Sequence, residues 1–245
     1  MIDSKSISIS IIMPAYNEQS NIIDAIKQTN TVLANDFSKY EIIVVDDGST
    51  DNTYEKLLNI VPLYDNIKII KHSINQNLGI SIINGFKKAQ NNYITFNSID
   101  LPLNPKNIKN IIDKNFPFDL LVLERSHYTG ASIWRKIVSM CNRIIIHIFF
   151  PFIAIDIADM NYTIIFKRDI LENIIPKSKS PGFVMAEMIL RAKYLKYNVT
   201  SMIIDYNPRK FGTTHFGKIK DITWSLYDII NFRIYSFFWL FKMNK

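Results

Sequence analysis

The chain has 245 residues, and its 29 Lys and Arg outnumber its 22 Asp and Glu, which gives a formal net charge of +7. A single Cys excludes an intrachain disulfide framework, and a hydrophobic fraction of 48% is too high for a disordered chain. A chain that is basic and also has a slightly positive mean hydropathy favours an anionic partner, such as a membrane surface.

Strand-like and helix-like blocks alternate through the first half of the chain. The unbroken apolar run within 41–45 is typical of a strand buried on both faces. This alternation predicts an α/β fold with a doubly wound, mostly parallel sheet flanked by helices. The predicted strands lie at 6–13, 41–45, 67–70 and 93–96, and the predicted helices at 21–33, 51–61 and 80–89.

The second half is less regular, with predicted strands at 120–123, 163–166 and 199–204 and a helix at 183–195. Two further helices, at 133–149 and 221–242, carry narrow polar stripes on apolar surfaces, which is typical of helices that lie in a membrane interface. We therefore expect a domain at 1–220 and a C-terminal amphipathic, membrane-associated helix at 221–245.

The sequence contains neither a signal peptide nor an apolar stretch of the roughly 18–20 residues that span a bilayer. We expect a cytoplasmic protein that is peripheral on the inner face of the membrane. A nucleic-acid partner is not expected, because the basic residues are scattered and no nucleic-acid-binding module is present.

Polar and acidic residues follow three of the predicted strands, at 14–18, 46–53 and 98–100. The carboxyl ends of parallel strands meet in one crevice, so these residues are expected to be neighbours. Clustered carboxylate and hydroxyl oxygens there suit a ligand that carries a divalent cation, or a nucleotide base whose N–H groups need hydrogen-bond acceptors. The absence of Gly-x-Gly-x-x-Gly and Gly-x-x-x-x-Gly-Lys-Ser/Thr disfavours a dinucleotide fold and excludes a P-loop.

These motifs resemble the opening of family 2 glycosyltransferases: Ile-Ile-Met-Pro-Ala-Tyr-Asn-Glu at 11–18, then Ile-Val-Val-Asp-Asp-Gly-Ser-Thr-Asp-Asn-Thr at 43–53. The resemblance continues through Asn77-Leu-Gly79, Gly85 and Ala89. It implies a GT-A fold and an enzyme that transfers a sugar, with inversion, from a GDP- or UDP-linked donor, usually with Mg²⁺ or Mn²⁺.

The second half resembles the dolichol- and polyprenyl-phosphate sugar transferase branch of that family. The matching segments are Arg125, Arg135-Lys-Ile-Val-Ser139, Glu187-Met-Ile-Leu-Arg-Ala192 and Arg209-Lys-Phe-Gly212. This resemblance implies a polyprenyl phosphate acceptor at the membrane face. Arg side chains suit that acceptor because the planar guanidinium group pairs with phosphate oxygens.

The resemblance also assigns roles to single residues. Tyr16 would stack on the base, and Asp46 or Asp47 would accept a hydrogen bond from the base or ribose. The sequence leaves open which of the two aspartates does which. Glu187 would lie near the acceptor, either deprotonating a hydroxyl or positioning a phosphate. The donor and acceptor sites would comprise Pro14, Tyr16, Glu18, Asp46, Asp47, Asn77, Gly79, Ser98, Arg125, Arg135 and His215, with Asp100, Glu187 and Arg209 as catalytic residues.

The metal motif departs from the family pattern. Asp100 matches the second carboxylate of the Asp-x-Asp motif, but Ser98 stands in place of the first, so one negative charge is lost. The alternatives are therefore a transferase whose metal relies on Asp100, a metal-independent enzyme, and a non-catalytic nucleotide-sugar-binding homologue. A glycan or glycolipid acceptor is the alternative to the lipid phosphate. The family also places an Asp before the strand at 163, for which Asp159 and Asp156 compete.

Overall fold

The computed structural model describes residues 7–126, 133–205 and 219–243, which form a seven-stranded sheet flanked by helices. The strands are β1 Ser8–Ala15, β2 Lys39–Asp46, β3 Ile67–Lys71, β4 Tyr93–Phe96, β5 Leu120–Arg125, β6 Thr163–Lys167 and β7 Val199–Ile204. The helices are α1 Ile22–Asp36, α2 Thr53–Ile60, α3 Leu78–Lys88, α4 Pro105–Asn115, α5 Ile133–Phe149, α6 Leu171–Ile174, α7 Val184–Tyr194 and α8 Ile219–Met243.

The sheet runs in the order β3-β2-β1-β4-β6-β5-β7. Parallel pairing joins β3, β2, β1 and β4, and also β5 and β7, so the predicted mostly parallel sheet is confirmed. The strand β6 departs from it, because it is antiparallel to both of its neighbours. The apolar run of β2 is wholly buried, as expected for a strand that is covered on both faces.

Helix α3 lies unusually close to the sheet. A Cβ atom added at Gly85 would stand 2.3 Å from the Cγ2 atom of Ile12 on β1, so only glycine permits this approach. One residue further along, Phe86 meets Phe166 of β6 edge to face, with 5.1 Å between ring centroids. This packing holds the C-terminal half of α3 against β1 and β6.

The predicted elements are present, with ends that differ by up to three residues, but two helices were missed. The short α6 is one of them, and α4 is the other. The start of α4 carries recognisable signals, because Pro105 occupies its first turn and the side chain of Asn104 accepts a hydrogen bond from the Lys106 N–H at 3.1 Å.

The C-terminal helix α8 is part of the core as well as of the surface. Ile229 and Phe232 are buried, and the Phe232 ring contacts the rings of Phe150 and Phe183. Asp228 accepts hydrogen bonds from the backbone N–H groups of Lys179 at 3.1 Å and Ser180 at 2.9 Å. Within the described ranges, no helix is both long enough and apolar enough to cross a membrane.

Candidate functional site

The polar segments that follow β1, β2 and β4 converge at one edge of the sheet. The Asp47 N–H donates to the carbonyl of Ala15 at 2.8 Å, and the Asn97 N–H donates to the carbonyl of Ile12 at 2.9 Å. Because β1 lies between β2 and β4, these bonds bring the three strand ends side by side. The three polar segments are therefore neighbours, as predicted for the crevice at the carboxyl ends of the strands.

Asp46 is the last residue of β2, and its side chain is fully buried. Its Oδ1 atom accepts a long hydrogen bond of 3.3 Å from the Ser49 N–H. Its Oδ2 atom is buried and has no hydrogen-bond partner among the residues that the structure describes. An unpaired buried carboxylate oxygen is costly, and such an atom in a native crevice is suited to accept a hydrogen bond from a ligand.

Asp47 is bonded differently from its neighbour. Its Oδ1 atom lies 2.7 Å from Nδ1 of His72 and accepts a hydrogen bond from the Gln76 N–H at 2.9 Å. The other ring nitrogen of His72 lies 2.9 Å from the Asn84 amide nitrogen. Asp47 thus holds the loop between β3 and α3, whereas Asp46 keeps an oxygen atom available.

His72 was missed by sequence reasoning, although a signal existed. Asp46 pairs with Lys71 in the parallel register of β2 and β3, so the next residues, Asp47 and His72, must be neighbours. Only the strand register brings the two together, since 25 residues separate them in the chain.

The segment after β1 is bonded to the loop after β2. The Asn17 N–H donates to Oγ of Ser49 at 3.0 Å, the Glu18 N–H donates to Oγ1 of Thr53 at 2.8 Å, and the Thr50 N–H donates to Oδ1 of Asn17 at 2.8 Å. These bonds place Tyr16 and Glu18, both half-buried, beside the acidic loop.

Asp51 strengthens this loop where it enters α2. Burial alone would raise the pKa of its carboxyl group, but hydrogen bonds from the Thr53 hydroxyl and from backbone N–H groups outweigh burial and hold the pKa below its usual value. Asp51 is therefore ionised at neutral pH and stabilises the turn that follows Asp46.

Two glycines allow the loops of the crevice to meet. Gly48 has φ +70°, and a Cβ atom there would stand 2.5 Å from the backbone carbon of Ile74. A Cβ atom at Gly79 would stand 2.3 Å from the carbonyl oxygen of Lys179. Between them, the Asn77 side chain accepts from the Gly79 and Ile80 N–H groups at 2.8 and 3.2 Å and begins α3.

The residues after β4 offer few oxygen ligands. Both ends of the Asn97 carboxamide bond to the backbone of Leu103, at 2.7 and 3.2 Å. Ser98 and Asp100 are half-buried. Across the described ranges, no three His, Cys, Asp or Glu side chains are grouped so that they could hold a metal ion. Asp100 alone still fits Mg²⁺, which proteins often bind through one carboxylate together with substrate phosphates.

Arg125, at the end of β5, forms a bidentate ion pair with Asp159. Its Nε and Nη2 atoms lie 2.7 and 3.1 Å from the two carboxylate oxygens. Glu124 supports this pair by accepting from the Ala158 and Asp159 N–H groups at 2.7 and 3.0 Å. Of the two competing aspartates, the structure therefore brings Asp159 to Arg125, whereas Asp156 pairs with Lys193.

Glu187 on α7 is 1% exposed, and both of its carboxylate oxygens are bonded. They accept from the backbone N–H groups of Lys177 at 3.0 Å and Ser178 at 2.8 Å, and Oε1 lies 2.7 Å from Nε of the buried Arg191. With Asp228, which binds the next two N–H groups, Glu187 fixes the loop that abuts Gly79.

Three predicted site residues are not placed by the structure. Arg209 and His215 lie outside the described residues. For Arg135 on α5, the structure describes the backbone but not the side chain.

Residues 10–140 match the family model described as glycosyl transferase family 2. The chain is 26% identical over 195 residues to a dolichol-phosphate mannosyltransferase of Pyrococcus furiosus, covering 77% of this chain and 54% of the relative. It is 32% identical over 117 residues to a dolichyl-phosphate beta-glucosyltransferase of Saccharomyces cerevisiae, covering 45% and 35%. The matches thus span about half or less of the length of these relatives.

Solved structures share the fold. Glucosyl-3-phosphoglycerate synthase from Mycobacterium tuberculosis, in complex with Mn²⁺, UDP and phosphoglyceric acid, has a TM-score of 0.65 at 15% identity, covering 91% of this chain and 79% of that one. TarS of S. aureus, in complex with UDP-GlcNAc, has a TM-score of 0.60 at 20% identity, covering 91% and 65%. At these identities the likeness concerns the fold alone.

Proposed function

Because this chain belongs to glycosyl transferase family 2, we propose that it transfers a sugar from a nucleotide sugar to a polyprenyl phosphate. The observation that carries the proposal is the buried Oδ2 atom of Asp46 at the carboxyl end of β2, to which no side chain or backbone group in the described part of the chain donates. Pyrimidine and purine bases present N–H groups, and a fixed carboxylate oxygen inside a crevice is a strong acceptor for such a donor.

The donor binds with its base between Tyr16 and Asp46. Asp47 contributes indirectly, by holding the loop that carries Asn77 and Gly79. Both GDP- and UDP-linked sugars fit this chemistry. Two proteins that share this fold are in complex with UDP and UDP-GlcNAc, which supports a nucleotide-linked donor.

In the transfer step, an acceptor oxygen forms a bond to the anomeric carbon of the sugar while the bond from that carbon to the diphosphate breaks. The bonding electrons leave with the nucleoside diphosphate, and attack from the opposite face inverts the anomeric configuration. A bound Mg²⁺ or Mn²⁺ would stabilise the charge on the departing diphosphate. Asp100 would hold the cation, and Arg209 and His215 would assist at the phosphates.

The acceptor is a lipid phosphate. Arg125, oriented by its bidentate pair with Asp159, and Arg135 on α5 provide cations for its phosphate group. A phosphate acceptor is already anionic and needs no strong base, so Glu187 acts by positioning the loop at 177–180. The two relatives named for dolichol- and dolichyl-phosphate transfer support this acceptor class. Because such an acceptor is a membrane lipid, the proposed location is peripheral, on the inner face of the membrane.

Removal of divalent cations tests whether turnover depends on a bound metal ion. We expect EDTA to lower turnover of a nucleotide sugar at least 10-fold, and added Mg²⁺ or Mn²⁺ to restore it, because Asp100 alone binds the cation weakly without the donor diphosphate. Asp100→Ala should lose turnover in the same assay, while Asp113→Ala, an exposed carboxylate on α4, serves as the control. Turnover that EDTA does not lower would contradict a role for the metal ion in transfer.

Ser98 favours a second candidate function, because this residue puts a neutral hydroxyl where the metal motif has a carboxylate. In that case the protein is a homologue that binds a nucleotide sugar without turning it over. Isothermal titration separates the two functions when it is paired with the turnover assay. Donor binding without product in saturating Mn²⁺ and acceptor would establish the non-catalytic homologue.

A further inference from the structure

The outward face of α5 is apolar and exposed over its whole length. Ile148 is 68% exposed, and beyond the helix Phe152 is 90% exposed and Ile155 77% exposed. An apolar patch of this extent on a soluble protein marks an interaction surface. The other large apolar side chains that are exposed on α5 are Ile133, Trp134, Ile137, Met140 and Ile144.

A row of basic side chains borders this apolar face. Lys136, Arg143 and His147 are spaced by seven and four residues, which places them along one flank of the helix. The sequence of α5 contains no Asp or Glu. An apolar face with basic residues beside it is the arrangement of a helix that lies in the interface of an anionic membrane.

One part of the row forms a groove of about 420 Å³, lined by Arg143, Ile144, His147, Ile148 and Ala158. The Nδ1 atom of His147 lies 2.8 Å from the carbonyl oxygen of Arg143, which orients the ring along the helix. The opposite wall is fixed, because the Ala158 N–H donates to the Glu124 carboxylate that also supports the Arg125–Asp159 pair. The groove thus joins two basic groups to isoleucine side chains.

We propose that this groove binds the phosphate headgroups of anionic phospholipids, with the apolar face of α5 inserted among their acyl chains. The charge of the surface identifies a bilayer as the occupant. The row is basic, and the chain as a whole has a net charge of +7. An anionic membrane is therefore attracted to this face, whereas a second copy of the same face is repelled. The inference builds on the membrane location in the proposed function but requires neither a nucleotide sugar nor a polyprenyl phosphate.

The test measures sedimentation of the whole protein with vesicles of phosphatidylglycerol and phosphatidylcholine that lack polyprenyl phosphate. Each basic group near an anionic membrane contributes about a fivefold change in binding, so Lys136→Gln with Arg143→Gln should weaken binding about 25-fold. The control pair Lys106→Gln with Lys114→Gln removes the same charge from exposed positions on α4 and should change binding less than about threefold. Ile148→Ser should weaken binding at equal charge.

Two results would overturn the proposal. One is an equal loss of binding in the α5 and α4 pairs, which would mean attraction by net charge alone. The other is self-association of the wild type without vesicles that Ile148→Ser abolishes, which would make a second copy the occupant. Thermal unfolding of each variant checks that these exposed substitutions leave the fold intact. Because no donor is added, a failure of the transferase proposal leaves this test unaffected.

Discussion

Asp46→Asn is expected to weaken binding of the nucleotide sugar about 100-fold while leaving the protein at least as stable as the wild type. A hydrogen bond to a charged group contributes about 1.5–3 kcal/mol, which corresponds to a change of roughly 10- to 150-fold in affinity. The substitution puts a neutral carboxamide in place of a fully buried carboxylate with one unpartnered oxygen. Stability should not fall, because burying an amide costs less than burying an ion.

Isothermal titration of UDP- and GDP-linked sugars measures the affinity, and chemical denaturation measures the stability. Asp65→Asn is the matched control, since it makes the same chemical change at an exposed residue outside the crevice. If the affinity of Asp46→Asn equalled that of the wild type for every donor that the wild type binds, Asp46 would not contact the base.

Glu187→Ala is expected to lower the free energy of unfolding by about 3–5 kcal/mol, because it leaves the Arg191 guanidinium group buried beside a missing carboxylate. It also removes the acceptor of the Lys177 and Ser178 N–H groups, and the Ser178 N–H is buried. The loop that abuts Gly79 should loosen as a result, so donor affinity should fall together with stability.

Urea denaturation of Glu187→Ala and of the control Glu172→Ala, an exposed carboxylate on α6, measures this difference. The control should lie within about 0.5 kcal/mol of the wild type. Should Glu187→Ala unfold like the wild type and yet lose turnover, Glu187 would act in the chemistry and not as a positioning residue.

The sequence was sufficient to predict the four parallel strands β1 to β4, because the patterns that indicate them are local in the chain. Buried parallel strands are unbroken apolar runs, and the polar segments that follow them are contiguous in the chain. The antiparallel direction of β6 was not predictable in this way, because Thr163–Lys167 reads as the same apolar run whichever way it pairs.

Long-range polar contacts were equally invisible from the sequence. Glu187 reads as a helical carboxylate, and nothing in its neighbourhood reveals that two backbone N–H groups ten and nine residues earlier donate to it. The contacts of α8 were hidden in the same way. Its amphipathic pattern is visible in the sequence, but the two N–H groups that donate to Asp228 lie 48 and 49 residues away. Such contacts depend on tertiary packing, which local periodicity does not encode.

Packing of α8 determines how its predicted membrane association can be tested. Truncation after Lys220 would remove the buried Ile229 and Phe232 along with the exposed face, so weaker vesicle binding would then follow from unfolding. Substitution of exposed apolar residues such as Ile234 isolates the surface contribution.

The most direct test of the proposed function is transfer of labelled sugar from GDP- and UDP-linked donors to polyprenyl phosphate in vesicles, with Mn²⁺ present. We expect an organic-soluble glycosyl phosphate lipid with at least one donor, and loss of that product in Asp46→Asn and Asp100→Ala. Absence of any labelled lipid, with transfer to a glycan or glycolipid acceptor in its place, would contradict the lipid-phosphate transferase.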